Sequence, residues 1–502
     1  MAHGRDGLSM ANDLDDLAIA TGVQRRRFLK SAALSTVGVG LGLAARGATV
    51  SDGHGAGVLD VAIVGAGISG LTAARDLSRA GLAHIVVLEA RDRVGGRSYT
   101  QDVGNGLYSD AGPTWIGPGQ TAIQNLLREL EIGTVANYYK GDSVIYVNGV
   151  ATRAGAAQPI SDAGFFQRLN AIAFSVPIEA PWSADRAAEY DAMTFADYLA
   201  MQSLSDDDRL GLEIACQLTF GAKPQYLSFL YVLFYIHSAG GYDLLESMEG
   251  GAQQDRILGG TQAVPIRIAE ELGSIVRLNQ PVRSISGWNT DAKSPVRLET
   301  PDGITEARTV ILALSPSQAN EIRFTPALPQ QRVQLMEHWP RGAHAIKIGV
   351  AYETPFWRAK GLSGQVYSPD GPFLWAMDVS PADGKKGQLM SFTLSADAPP
   401  KTSEQRKAMV IDVLAECLGP EALHPMGYVE HDWSQEDYTR GCVSPLAPGI
   451  LTRFGTALRP ANGRLIWAGT ETSQIWMGYM DGAVRSGKNA ALEALHSLAA
   501  RR

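Results

Sequence analysis

A lone cation inside an apolar run needs a chemical reason, and Lys347 is such a residue. It stands in Ala343-His344-Ala345-Ile346-Lys347-Ile348-Gly349-Val350. In this strand-like pattern a lysine either guards a sheet edge against pairing or is held for chemistry. A second signal is a phosphate cradle. The apolar run Leu59 to Val64 leads into Gly65-Ala66-Gly67-Ile68-Ser69-Gly70, a helical pattern continues through Ala80, and a second run, His84 to Leu88, ends at Glu89. Strand, glycine turn, helix, strand and acid within about 30 residues form a dinucleotide fingerprint. Gly65 permits the tight turn, Gly67 lets the backbone approach a pyrophosphate, and Gly70 lets helix and strand pack closely. The N–H groups of the helix start face the phosphates, and Glu89 accepts from a ribose 2′-hydroxyl, which disfavours NADP. The three cysteines, Cys216, Cys417 and Cys442, are too scattered for a disulfide framework. None joins a metal-ligand pattern, so no metal site is predicted.

These residues must be positioned by a large fold. At 502 residues the chain should divide into two domains. With 45% hydrophobic and 19% charged residues it has the composition of a globular protein. The net charge of −8, with no basic run beyond the N-terminus, argues against nucleic acid as a partner and mildly suits a cationic substrate. The run Ile275 to Val282 reads as a strand, as does Arg464 to Trp467, which leads into Ala468-Gly469-Thr470-Glu471-Thr472. Gly478-Tyr479-Met480-Asp481-Gly482-Ala483-Val484 then opens a final helix. Cys216 and Cys417 sit on apolar helical patterns and read as core.

Residues 1–57 read as an address and linker. Arg25-Arg26-Arg27-Phe28-Leu29-Lys30 precedes a Gly/Ala-rich apolar stretch from Ser31 to Ala45. That stretch is shorter than the roughly 20 apolar residues of a spanning helix. It resembles a twin-arginine export signal, although Gln24 replaces the usual Ser or Thr. The expectation is a periplasmic or secreted protein, with the twin-arginine machinery as a transient partner and no stable membrane anchor. Self-association as a homodimer is left open.

Downstream of Glu89 and Ala90, the segment Arg91-Asp92-Arg93-Val94-Gly95-Gly96-Arg97-Ser98-Tyr99-Thr100 resembles the second FAD motif of the glutathione reductase-like flavoproteins. The resemblance implies that Ala90, Arg91, Gly96 and Arg97 approach the cofactor, with Ser69 in the first motif. It also implies that Val282 meets adenine, and that Gly469, Thr470, Glu471, Tyr479 and Met480 border the flavin. A helix start at Met480 would stabilise negative charge on the flavin pyrimidine.

With these pieces in place, Asp60 to Leu495 resembles the flavin-containing monoamine oxidases. The echoes include Gly117-Pro118-Gly119-Gln120, Gly259-Gly260-Thr261-Gln262, Pro355-Phe356-Trp357, Pro448-Gly449-Ile450-Leu451 and Ala468 to Val484. The resemblance implies an α/β fold: a glutathione reductase-like Rossmann FAD domain from 58–135, 243–330 and 436–502, and an α+β substrate domain from 136–242 and 331–435. It also implies oxidation of a small amine to an imine, then an aldehyde or ketone, with oxygen or a redox carrier taking the electrons. Lys347 matches the lysine that holds a water beside flavin N5. Cys442, in Tyr438-Thr439-Arg440-Gly441-Cys442, matches the position of a cysteinyl thioether to FAD, or is a small buried residue in a glycine-flanked turn. Tyr479 matches one ring of an aromatic pair facing the flavin, but Val443 stands where the other is expected. Trp433 is therefore grouped with Lys347 and Tyr479 as catalytic, and Trp115, Ser238, Val443 and Trp476 as the substrate wall. Phe234, Tyr235, Tyr242 and Trp375 are further candidates for lining. An amino acid oxidase would need an arginine clamp, for which Arg341 is nearest. A polyamine oxidase would need carboxylates, for which Asp243, Glu246 and Glu249 are available.

Overall fold

The computed structural model describes residues 57–155, 163–290, 294–394 and 402–500. The Arg25 to Lys30 export pattern and the apolar stretch behind it lie outside the described residues. Valine and isoleucine dominate the strand Leu59–Val64, which is buried on both faces and pairs in parallel with Ile85–Leu88 on one side and Gly303–Ala313 on the other. Such continuous apolar strands suit a sheet covered by helices on each face. Val276–Arg277 extends this sheet beyond Ile85–Leu88, and Leu465–Ala468 joins Gly303–Ala313 in parallel. Antiparallel pairing of Val296–Thr300 turns the eight-stranded sheet into a mixed one. Ile275 to Val282 is thus only partly strand: Gly273–Ile275 is a 3-10 turn, two residues pair, and the chain then bends at Leu278 and Asn279, the latter at φ +57°, before Val282 lines the cavity.

The helix Ile68–Arg79 lies against the last helix, Met480–Ala499. Alanines and glycine at the contact allow close approach, and a Cβ on Gly487 would sit 2.3 Å from the Ser69 carbonyl oxygen. Ser69 Oγ accepts from the Gly469 backbone N–H at 3.1 Å across 400 residues of sequence, so the two ends of the fold are directly bonded.

A second, seven-stranded sheet runs in the order Gly427–Asp432, Ala345–Tyr352, Gly387–Leu394, Trp375–Asp378, Leu362–Tyr367, Asp142–Val147, Val150–Ala154. Ala345–Tyr352 is flanked on both sides and buried at every position, so Lys347 is interior and guards no edge. Packed nearby is an all-helical cluster around Phe229–Ser238, which is apolar all round. Ser228 caps this helix by accepting from the Tyr231 N–H, and it donates to buried Asp191, which also accepts from the N–H and hydroxyl of Thr452. That network fixes the helix that carries Tyr235. Cys216 and Cys417 are buried on the helices Asp206–Phe220 and Ser403–Leu418. Among the described residues, no helix is long and apolar enough to cross a membrane.

Candidate active site

The glycine turn, the second sheet and the helical cluster converge on one cavity of about 790 Å³. Its lining includes Gly65, Gly67, Ser69, Glu89, Ala90, Arg91, Gly96 and Arg97, together with Val282, Gly469, Thr470, Tyr479 and Met480. Two helices open their N-terminal ends into it, Ile68–Arg79 behind Gly67 and Met480–Ala499 behind Tyr479, and neither is capped by a side chain. Their unpaired N–H dipoles favour anionic groups. A Cβ on Gly67 would project into open space, with its nearest neighbour at 3.9 Å, whereas one on Gly70 would strike the Gly65 carbonyl oxygen at 2.0 Å. Gly67 therefore leaves room for a ligand, and Gly70 serves packing alone and does not line the cavity. This cradle, its acid and its paired helix ends fit a flavin dinucleotide.

Glu89 is anchored before any ribose arrives: its carboxylate accepts from the Ala66 N–H at 2.7 Å and the Arg91 N–H at 3.0 Å, leaving lone pairs free on the cavity side. Arg91 pairs with Glu436 at 2.9 Å, and Arg93 also pairs with Glu436 while covering the Tyr99 ring at 4.1 Å. Both arginines thus tether the loop that carries Cys442. Arg97 lines the cavity and pairs with Glu471 at 2.7 Å. Glu471, expected at the cofactor, lies behind it and acts through Arg97.

Lys347 Nζ donates to Thr114 Oγ1 at 3.1 Å and stands 5.4 Å from the Trp115 ring centroid. Burial pulls its ammonium down to about 8, against the opposing pull of Cys442 and Asp110. Cys442 is a free thiol on the cavity wall, pushed up by burial while Lys347 and Arg97 favour its thiolate. Tyr479 and Tyr235 line the chamber with ring centroids 6.1 Å apart and planes tilted by 47°, and Val443 is also on the wall. Trp115, Trp375 and Tyr367 form the facing aromatic wall, with Trp115 and Trp375 at 5.5 Å.

Several residues expected in the catalytic group or on the wall are placed elsewhere. Trp433 is fully buried off the cavity and donates from Nε1 to the Ala111 carbonyl at 2.6 Å. Trp476 donates to the Gly119 carbonyl and backs Tyr479 edge-on at 4.9 Å. Ser238 is turned back onto the Tyr235 carbonyl. Phe234 and Tyr242 are likewise in the surrounding core. Arg341 borders the mouth, but it is solvent-exposed and faces Glu321 at 3.6 Å. Trp433→Phe should lower unfolding stability in urea by about 1–2 kcal/mol through the lost hydrogen bond, with the rate of substrate oxidation unchanged; a large rate loss would return Trp433 to the catalytic group.

One feature was not assigned from sequence, and another was left open among three acids. The helix Asp206–Phe220 presents Gly211, Ile214, Ala215, Leu218 and Thr219 to the cavity, a stripe at helical spacing that reads equally as core. At its inner end Thr219 Oγ1 donates to Glu246 at 2.6 Å, and Glu246 lines the cavity while Asp243 and Glu249 are exposed.

The sequence profile described as flavin containing amine oxidoreductase matches residues 68–495. A Mycobacterium tuberculosis protein named as a flavin-containing monoamine oxidase is 39% identical over 443 residues, covering 87% of this chain and 96% of that one. The pig flavin-containing amine oxidase B is 35% identical, covering 88% and 86%. Among solved structures, cyclohexylamine oxidase from Brevibacterium oxydans superposes with a TM-score of 0.80 at 33% identity over 88% of this chain and 100% of that one. Putrescine oxidase bound to putrescine gives 0.79 at 34%, over 87% and 99%.

Proposed function

This chain belongs to the flavin-containing amine oxidoreductases, is an FAD enzyme that oxidises amines, and on that premise we propose that it acts on a small amine admitted through the helix-lined chamber, with FAD held through Cys442. The chemistry supplied by bound FAD is removal of a hydride equivalent from the carbon bearing nitrogen, with the electrons passed to oxygen to give hydrogen peroxide. The imine released hydrolyses to an aldehyde or ketone. The observation that carries the reading is a single cavity in which two uncapped helix ends and the glycine cradle adjoin a chamber walled by Tyr235, Tyr479, Trp115 and Trp375. Those rings exclude water and disfavour the ammonium form of the substrate, leaving the nitrogen lone pair free. Lys347 holds a proton donor and a positive charge beside the same wall. Arg341 counts against an amino acid substrate, because an exposed arginine at the mouth clamps no buried carboxylate.

The test is anaerobic: purified protein mixed with amines and amino acids should bleach its flavin absorbance with amines. Bleaching by amino acids alone would overturn the assignment. Comparing turnover with oxygen and with an artificial acceptor separates an oxidase from a dehydrogenase that serves a carrier.

Attachment through Cys442 draws support from its free thiol on the cavity wall and from the flanking cations Lys347 and Arg97. Acid-denatured protein should retain its yellow colour on a filter, and Cys442→Ser should release it. Colour lost from the unaltered protein would remove the link and leave the catalytic reading intact. For residues 1–57, the Arg25 to Lys30 pattern supports export through the twin-arginine route. The two sheets support a division into cofactor and substrate domains along the segments given above.

A further inference from the structure

The cavity borders four carboxylates, and three are accounted for. Glu89 accepts two backbone N–H groups, Glu321 faces Arg341, and Asp437 is solvent-exposed on its loop. Glu246 is different. It ends the short helix Tyr242–Glu246, and its hydrogen-bond partner is the Thr219 hydroxyl at 2.6 Å. Among the described residues no cation pairs with it. The titratable groups it influences are neutral side chains: Cys216 on the helix Asp206–Phe220, Tyr235 on Phe229–Ser238, Tyr242 on its own helix, and Tyr479. A carboxylate kept in an apolar chamber without a counter-charge destabilises the protein, which is tolerated where a ligand brings the missing charge.

Its place in the chamber says which part of a ligand it meets. Lys347 and Cys442 act on each other electrostatically, and neither is perturbed by Glu246. Tyr235 is perturbed by both Cys442 and Glu246, and Tyr479 by Glu246. Lys347, Tyr235, Tyr479 and Glu246 line the same cavity, with Lys347 bonded to Thr114 beside the Trp115 ring and Glu246 bonded to Thr219 on the helix Asp206–Phe220, so the two charged groups are held by different elements of the wall. For an amine reacting beside Lys347, Glu246 is the cavity carboxylate without a partner cation that remains available to its far end.

We propose that Glu246 is a specificity-determining residue that receives a second, protonated amino group, so that the preferred substrates are α,ω-diamines rather than monoamines of the same length. This rests on the amine-oxidising function and adds the substrate class. Burial pushes the Glu246 carboxyl up to about 7 against the lowering effect of the Thr219 hydroxyl. The carboxylate is thus present above about pH 7 and lost below it, and diamine preference should rise with pH across that value.

The experiment measures anaerobic flavin reduction by 1,4-diaminobutane and n-butylamine, which differ by one terminal amino group, between pH 6 and 8.5. The diamine should be favoured, with the ratio of second-order rate constants climbing through about pH 7. Glu246→Gln should cut the diamine constant about 100-fold, mostly through weaker binding, leave n-butylamine within about twofold, and flatten the pH dependence of the ratio. Thr219→Val keeps the carboxyl but removes its hydrogen-bond donor, so the midpoint of the ratio should move upward. An unaltered protein with no diamine preference at any pH, or a ratio untouched by Glu246→Gln, would overturn the proposal while bleaching by monoamines still upheld amine oxidation. Failure of every amine to bleach the flavin would overturn both.

Discussion

Lys347→Met is expected to slow reoxidation of the reduced enzyme by oxygen about 100-fold while the protein stays yellow. The side chain is interior, on a strand flanked on both sides, and its Nζ donates to Thr114 beside the Trp115 ring. A positive charge fixed there favours negative charge developing on oxygen as it takes up electrons. The ammonium is present below about pH 8 and lost above it, so stopped-flow reoxidation should fall as pH rises through 8 in the unaltered protein and stay flat in the variant. Following reoxidation alone removes the ionisation of the amine from the measurement. Methionine also relieves a folding penalty. The buried ammonium is lowered from its ordinary 10.5 to about 8, so at pH 7 the folded state is disfavoured by roughly 3 kcal/mol relative to an unperturbed lysine. That penalty shrinks as pH climbs from 8 to 10.5, where the folded protein is already neutral and the unfolded chain still binds the proton. The variant should therefore melt higher than the parent at pH 7, with the gap closing in alkali. Unchanged reoxidation kinetics would remove Lys347 from the oxygen chemistry.

The second large effect separates two glycines three residues apart. Gly67→Val should give a folded, soluble and colourless protein with FAD affinity reduced more than about 100-fold. The backbone at Gly67 has φ −74°, which any residue tolerates, and its Cβ would enter open cavity. Gly70→Val should fail earlier, because its Cβ would lie 2.0 Å from the Gly65 carbonyl oxygen, a backbone atom that cannot step aside. Circular dichroism and flavin absorbance together distinguish the outcomes. A yellow Gly67→Val protein would show that the turn does not face the cofactor.

Much of the cofactor half was legible because its residues are local. From Leu59 to Arg97, strand, turn, helix and motif follow one another in sequence, and each has a recognisable signal. Lys347 stood out as a cation in an apolar run, but its residues alone also allowed a sheet edge, and it is the strands paired on both sides that place it in the interior. The substrate chamber was harder to read, because its walls come from segments far apart in sequence. Nothing in the residues around Trp433 shows that its indole turns to the Ala111 carbonyl instead of the chamber. Tyr235 stands in an apolar helix where every face looks like core, yet it lines the cavity. Glu246 was one of three acids in a short stretch, and only the Thr219 hydroxyl on another helix distinguishes it from its exposed neighbours.

The bond between Ser69 and Gly469 also bears on biosynthesis. A polypeptide leaving the ribosome exposes its glycine turn 400 residues before the opposing half of the clasp. Until then the pigment has only half a seat, so stable loading must follow synthesis of the segment around Gly469. A secretion channel that threads unstructured polypeptide would deliver this protein without its colour.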